Sequence, residues 1–416
     1  MKRIVITGMG VVSPLGNDLS SFWDALVRGE SGVRHLSKLP STNYKGNMLA
    51  AEVDWPDSNV PANLQEESNA VHYALQAAQQ ALDHAGLAYP VAHKNAYALI
   101  VGTTSGNQDI LERTLDRYYD PEAEHEFSDE AATLFARMRP IRLSALVAKA
   151  LNFGGLNMVI PTACAAGNYA IGTAYSMIQA GRTSVVVAGG ADAFTRSCYT
   201  IFYRLGGMTH QDCRPFDQNR SGMVVGEGAG MLVLEDLEHA LARGARIYAE
   251  VKGYGLSCDA YHRVAPDPEG EGAARAIRKA LYSSNLNPKD IDLISAHGTG
   301  TPANDVQEAK ALAKIFGENL PTIPVSGLKS MLGHCMGAAS ALEAIAATMS
   351  LNTQISPPTK NTVQVDPDFP YALDVMPGEA RQQNFSHVLS NAFGFGGNIC
   401  SVVLANYSST FQPEAA

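Results

Sequence analysis

Charge is scarce in this chain. Asp, Glu, Lys and Arg make up 17% of its 416 residues, against ~25% in an average domain. Positive charge is scarcer still: 31 Lys and Arg face 41 Asp and Glu, the formal net charge is -10, and residues 46–93 contain neither Lys nor Arg. A chain without a basic field does not bind nucleic acid in bulk. Six cysteines are too few for a disulfide scaffold. No apolar run reaches the ~18–20 residues that span a bilayer. Lys2 and Arg3 lead directly into Ile4-Val5-Ile6-Thr7, which reads as a strand and not as a leader peptide. The expected compartment is the cytoplasm, where a reducing milieu leaves cysteine free for chemistry. Ligand spacings are missing too. His334-Cys335-Met336 is no zinc knuckle, GEGAG (226–230) lacks the Lys-Ser/Thr ending of a phosphate loop, and GMGVVS (8–13) is not G-x-G-x-x-G. No metal, nucleotide or other resident cofactor is expected.

What the chain has is apolar bulk (46%) and 37 glycines, placed in a repeating plan. Residues 1–250 and 251–416 each read as strand, helix, strand with a Gly-rich exit, a small-residue turn before an apolar helix, strand, glycine turn, strand. The apolar helices are the informative elements. AAGNYAIGTAYSMIQA (165–180) carries no charge, and GAASALEAIAATMSL (337–351) carries only Glu343. A helix apolar on every side is buried, so both are expected between two mixed sheets. With outer helices this gives an α/β fold of five layers, α-β-α-β-α. The last strand of each half is expected as an antiparallel return at a sheet edge.

Chemistry concentrates in the turns. Cys164, in PTACAAG (161–167), precedes a helix whose dipole and free N–H groups favour a thiolate and can hold an oxyanion. A small core cysteine is the alternative. His297 leaves a buried strand in ISAHGTGTPAND (294–305), and His334 lies in the glycine turn of SGLKSMLGHCMGAAS (326–340). A neutral imidazole there donates a hydrogen bond without adding charge; a satisfied structural histidine is the alternative. Lys329 is expected to pair with Asp305 or Glu308, as part of the site or as a plain buried salt bridge.

These segments resemble the β-ketoacyl synthases of the elongating, carrier-protein-dependent type, which have the duplicated thiolase fold. The matching stretches are VITGMGVVSPLG (5–16), TACAAG (162–167), AGGADA (188–193), RPFDQNRSGMVVGEGAGMLVLE (214–235), KGYGLSCDAYH (252–262), AHGTGTPANDVQEAKAL (296–312), GLKSMLGHCMGAA (327–339) and SNAFGFGGNIC (390–400). They run end to end in family order. The resemblance implies Cys164 as nucleophile, His297 and His334 as the histidine pair and Lys329 as their support. It implies Asp305 and Glu308 as the acids of the HGT segment, and Phe395 as the gating phenylalanine with Phe393 beside it. The implied reaction is decarboxylative Claisen condensation of a Cys-bound acyl group with a malonyl group. Both substrates ride on the phosphopantetheine arm of acyl carrier protein. A homodimer is implied, or a ketosynthase/chain-length-factor heterodimer. A malonyl-carrier-protein decarboxylase is the other alternative, and His334 in place of a second active cysteine argues against a thiolase.

The chain departs from the family pattern in places. Polar Asn107 and Gln108 stand in the acyl-pocket segment, Met223 stands where an aromatic is frequent, and GGN (396–398) replaces GGT. These changes point toward polyketide or polyene synthesis and away from bulk fatty-acid synthesis. The early basic patch for an acidic carrier is missing, so Arg137, Arg139, Arg142 and Arg204 are the candidate carrier contacts.

Overall fold

The computed structural model describes residues 2–40, 44–46, 48–92, 97–118 and 129–407. Ten strands build its main sheet: β1 (Ile4–Val12), β2 (Ala98–Gly102), β3 (Asn157–Ile160), β4 (Val185–Asp192), β5 (Gly228–Asp236), β6 (Ala249–Cys258), β7 (Leu293–Ser295), β8 (Val325–Ser326), β9 (His387–Gly394) and β10 (Asn398–Ala405). Their spatial order is β8-β7-β9-β10-β6-β1-β5-β4-β2-β3. Read outward from the middle, the halves are β1-β5-β4-β2-β3 and β6-β10-β9-β7-β8, so the strands of each half are threaded in one order. In each half the two outermost pairings are parallel and the inner ones antiparallel. The two expected mixed sheets are these halves. They are also joined edge to edge, through β1 and β6, by the antiparallel pairs Ile4↔Val251, Val5↔Glu250 and Ile6↔Ala249. The closing strands β5 and β10 are antiparallel as expected but lie inside the sheet, because each returns between the first and fourth strands of its half. All nine residues of β5 are buried.

Two helices form the inner layer. One runs Ala166–Gln179 and the other Ala339–Thr353, and each contacts strands of both halves. The second is buried nearly all round, Glu343 included, while the first leaves Tyr169, Thr173, Tyr175 and Ser176 half-buried along one stripe. They pack closely: a Cβ on Gly167 would lie 2.6 Å from the Ala341 nitrogen. Outer helices complete the five layers, Asn69–Ala85 over the first half, Glu271–Ser284 and Pro302–Phe316 over the second. The first of these starts at a Ser68 cap and stops at left-handed Gly86. Among the described residues, no helix is long and apolar enough to cross a membrane.

Candidate active site

Each inner helix is entered through one turn of 3-10 helix, Ala163–Ala165 in the first half and Met336–Ala338 in the second. Each turn opens on a non-glycine residue in the left-handed region, Ala163 at φ 51° and Met336 at φ 52°. Such backbone is costly for an L-residue and is held only by surrounding structure. Cys164 is the middle residue of the first turn. The end of β9 crosses directly over it, since a Cβ on Gly394 would lie 2.8 Å from the Thr162 carbonyl oxygen. That crossing brings the Phe395 N–H, together with that of Cys164 itself, against the sulfur.

The resting thiol is not activated in the way the helix dipole predicts. Burial pushes it up to about 12; the Lys329 charge pulls it down, the Asp192 carboxylate adds a smaller upward push, and the two N–H groups pull it down again. Cys164 is 4% exposed, and removing a thiolate from water outweighs a dipole that begins one turn further on. The same N–H groups suit an oxygen that becomes negative only during reaction.

The second half supplies the ionisable groups. His297 follows β7, and the backbone N–H groups of His297 and Gly298 both donate to the Glu308 carboxylate at 2.9 Å. Asp305 accepts from the N–H groups of Phe216 at 2.7 Å and Gly300 at 3.2 Å. Both acids therefore hold backbone, and neither pairs with Lys329 as expected. Burial raises both above the usual carboxylate range, Glu308 to about 7. The partner of Lys329 is Glu343, at 2.5 Å. Lys329 Nζ also donates to the His297 carbonyl at 2.6 Å and faces His297 Nδ1 at 3.3 Å. An ammonium has donors only, so Nδ1 must accept and the ring proton of His297 sits on Nε2. The His334 ring lies 5.6 Å from that of His297, nearly perpendicular to it. The His334 backbone is pinned by its N–H to the Val224 carbonyl at 2.7 Å and by the Gly226 N–H to its own carbonyl at 2.9 Å. Burial, and then the Lys329 charge, hold both imidazoles well below the usual histidine value, so both are neutral at pH 7.

Cys164, His297 and His334 open onto one cavity of about 220 Å³. Its lining includes apolar Phe202, Leu205, Met223 and Phe395 and polar Asp259, Thr299, Thr301, Asn304 and Gln307. Phe393 is buried, with its ring 5.4 Å from that of His297. Phe395 is 36% exposed and lies 5.2 Å from Phe202. Sequence reasoning missed Phe202, Gln307 and the role of Glu343. The last had a signal: a lone carboxylate in a helix otherwise without charge needs a buried cation.

The remaining candidates lie elsewhere. Asn107 is buried, and its amide donates to the carbonyls of Arg137 at 3.2 Å and Arg139 at 3.1 Å. Gln108 opens the helix Gln108–Tyr118. Neither lines the cavity at Cys164. Arg142 is paired with Glu67 at 2.5 Å, and Arg137 donates to the Glu66 carbonyl at 3.3 Å. These two are engaged within the chain, which weakens them as carrier contacts. Arg139 and Arg204 are exposed, and Arg204 stands between cavity-lining Phe202 and Leu205. Among the described residues, no three His, Cys, Asp or Glu side chains cluster so as to hold a metal ion.

Comparison with known proteins bears on the family of the whole chain. Residues 1–240 match the family described as β-ketoacyl synthase, N-terminal domain, and residues 248–363 match its C-terminal domain. A 3-oxoacyl-acyl-carrier-protein synthase 2 from Synechocystis sp. is 36% identical over 98% of this chain and 98% of its own. Among solved structures, the ishigamide ketosynthase/chain length factor is 40% identical, with a TM-score of 0.90 over 98% of this chain and 100% of that one. A type II polyketide ketosynthase, solved with its acyl-carrier protein and a bound hexaketide, is 29% identical, with a TM-score of 0.89 and the same coverage.

Proposed function

The chain belongs to the β-ketoacyl synthase family, and from that premise we propose which of its residues carry the condensing, Claisen-type reaction on carrier-bound acyl groups. The acyl group passes from its carrier thioester to Cys164 Sγ, and the thiol proton leaves on the departing pantetheine sulfur. Malonyl-loaded carrier then enters. As its carboxylate leaves as CO2, the electron pair of the broken C–C bond moves into an enolate. The Nε2–H of His297 and the neutral ring of His334 stabilise the enolate oxygen. The carbanion attacks the acyl carbon on Cys164, and the N–H groups of Cys164 and Phe395 hold the oxyanion. Collapse releases the Cys164 thiolate, which takes up one proton, and 3-oxoacyl carrier departs. Lys329 fixes the tautomer of His297, Glu343 neutralises Lys329, and Asp305 and Glu308 hold the His297 loop. The apolar lining residues, Phe395 among them, keep water from the acyl enzyme.

The observation that carries this reading is the meeting of a buried thiol, two N–H groups and two neutral imidazoles in one cavity. Intact-protein mass spectrometry tests it. Wild type incubated with acyl-loaded carrier protein gains the acyl mass, and Cys164→Ala gains nothing. His297→Ala and His334→Ala still gain it but lose most CO2 release from malonyl-loaded carrier. An equal adduct on Cys164→Ala would sink the assignment.

The docking face for the acidic carrier centres on Arg204, beside the cavity mouth, and not on Arg137 or Arg142. Exposed Arg263 is tied to the Phe395 loop, its carbonyl accepting the N–H of Gly396. A second reading, the catalytic subunit of a heterodimer with a chain-length factor, is supported by the ishigamide relative. Copurification of a homologous subunit lacking the cysteine is the outcome that would support it, and purification as a homodimer would count against it. The halves divide near residue 250, and the six unpaired cysteines fit a cytoplasmic protein.

A further inference from the structure

The duplication makes a comparison possible that a single site does not. Cys164 is the middle residue of the turn Ala163–Ala165, and Gly337 is the middle residue of Met336–Ala338. The fourth strand of each half, β4 and β9, is eight residues long, and their last residues are Asp192 and Gly394. The two halves exchange these parts. The Cys164 turn lies under the end of β9 from the second half. The Gly337 turn lies under the end of β4 from the first, with a Cβ on Gly190 placed 2.2 Å from the Gly337 carbonyl oxygen. The molecule thus has two equivalent crossings of strand end over strained turn.

At the first crossing the turn N–H faces the space where an oxyanion forms. At the second that space is taken. The Gly337 N–H, equivalent to that of Cys164, donates to the Asp192 carboxylate at 2.7 Å. The same carboxylate accepts from the N–H groups of Thr104 at 2.7 Å and Ser105 at 2.8 Å and from the Thr103 hydroxyl at 2.8 Å. Asp192 is fully buried. Four donors and, among the described residues, no paired cation describe an anion hole, and a buried carboxylate so surrounded is an anion supplied by the protein. No side chain fits beside it: a Cβ on Gly337 would lie 2.6 Å from Asp192 Oδ2.

We infer that this crossing is a second copy of the oxyanion hole, filled by Asp192, and that Asp192 is a positioning residue for the condensation. It acts through His334, three residues before Gly337. The His334 backbone is anchored on one side by Val224 and Gly226; the Asp192–Gly337 bond anchors the turn on the other. Losing that anchor moves the imidazole that stabilises the enolate, while the Cys164 crossing stays intact. This rests on the reading of Cys164 and Phe395 as the acyl site.

The test separates the two half-reactions in Asp192→Ala and Asp192→Asn. In both variants acylation of Cys164, read by intact mass, stays within about threefold of wild type, while CO2 release from malonyl-loaded carrier falls by about 100-fold, as expected when a reacting group is misplaced by about 1 Å. Added sodium formate refills the hole in Asp192→Ala. It restores CO2 release and raises the unfolding temperature of that variant, but not of Asp192→Asn, whose amide still fills the space, nor of wild type. The proposal is overturned if CO2 release survives in both folded variants, if both half-reactions fall together without a response to formate, or if neither variant folds even in formate. The formate-dependent thermal shift does not depend on what Cys164 does. If Cys164→Ala acylated normally, the functional reading would fail while the filled hole could still be scored.

Discussion

The two halves of the chain thread their strands alike and then divide the chemistry unequally. The first half presents one reactive group, Cys164, at the head of a helix with no charged residue. The second presents His297, Lys329, His334 and Glu343 within contact of one another. The difference teaches how a buried site stays soluble in its own protein. A thiol can be buried alone because it is neutral at rest. A buried cation cannot, and it arrives with a carboxylate and beside two imidazoles that burial, and then its own charge, keep neutral.

The strongest way to break this contrast is Lys329→Met. It leaves Glu343 buried without a partner and is expected to cost about 3 to 5 kcal/mol of stability, together with the loss of CO2 release. The double variant Lys329→Met/Glu343→Leu should recover much of the stability in denaturant unfolding but none of the CO2 release. If it recovers both, the pair is structural only.

Alkylation sharpens the other side. Only the thiolate reacts, and burial raises the Cys164 thiol to about 12, so the thiolate fraction keeps growing as pH rises toward that value. The iodoacetamide rate should climb about tenfold per pH unit from 7 to 10 without a plateau. A plateau below pH 8 would mean that the first half activates its own nucleophile after all.

Arg204→Glu is a smaller perturbation. It should raise KM for loaded carrier by about tenfold or less, leave kcat unchanged, and lose its effect in high salt. An unchanged KM moves the docking face elsewhere. Asn107→Ala has the smallest expected effect on activity. It removes two hydrogen bonds to carbonyls, costing about 1 to 2 kcal/mol of stability, and should leave the accepted chain length unchanged in an acyl-carrier panel. A shift in chain length would return Asn107 to the acyl pocket.

Much of the site was legible in the sequence, because glycine and small residues mark where backbone must bend around Cys164, His297 and His334. The buried inner helices were legible for a similar reason: two stretches nearly without charge have nowhere else to go. The partner of Lys329 was not. Asp305 and Glu308 are near His297 in sequence, but loop N–H groups occupy them, and Glu343 comes close only because its helix runs through the middle of the molecule. The state of the thiol was misread because sequence displays the helix start and conceals the depth of burial. The joining of the two half-sheets was hidden as well, since β1 and β6 look like ordinary first strands.

That junction has a consequence for how the protein is made. β1 is synthesised long before either of its neighbours, yet it belongs in the middle of the sheet, with β5 on one side and β6 on the other. The helix Asn69–Ala85 can cover one face early, but β1 pairs with Asp236 at one edge and Val251 at the other. At ~5–20 residues per second of synthesis, both edges stay unpaired for roughly 10 to 50 s. A nascent chain of this protein carries an open, apolar strand through most of its translation, and its yield should depend on what shields that strand until the second half begins.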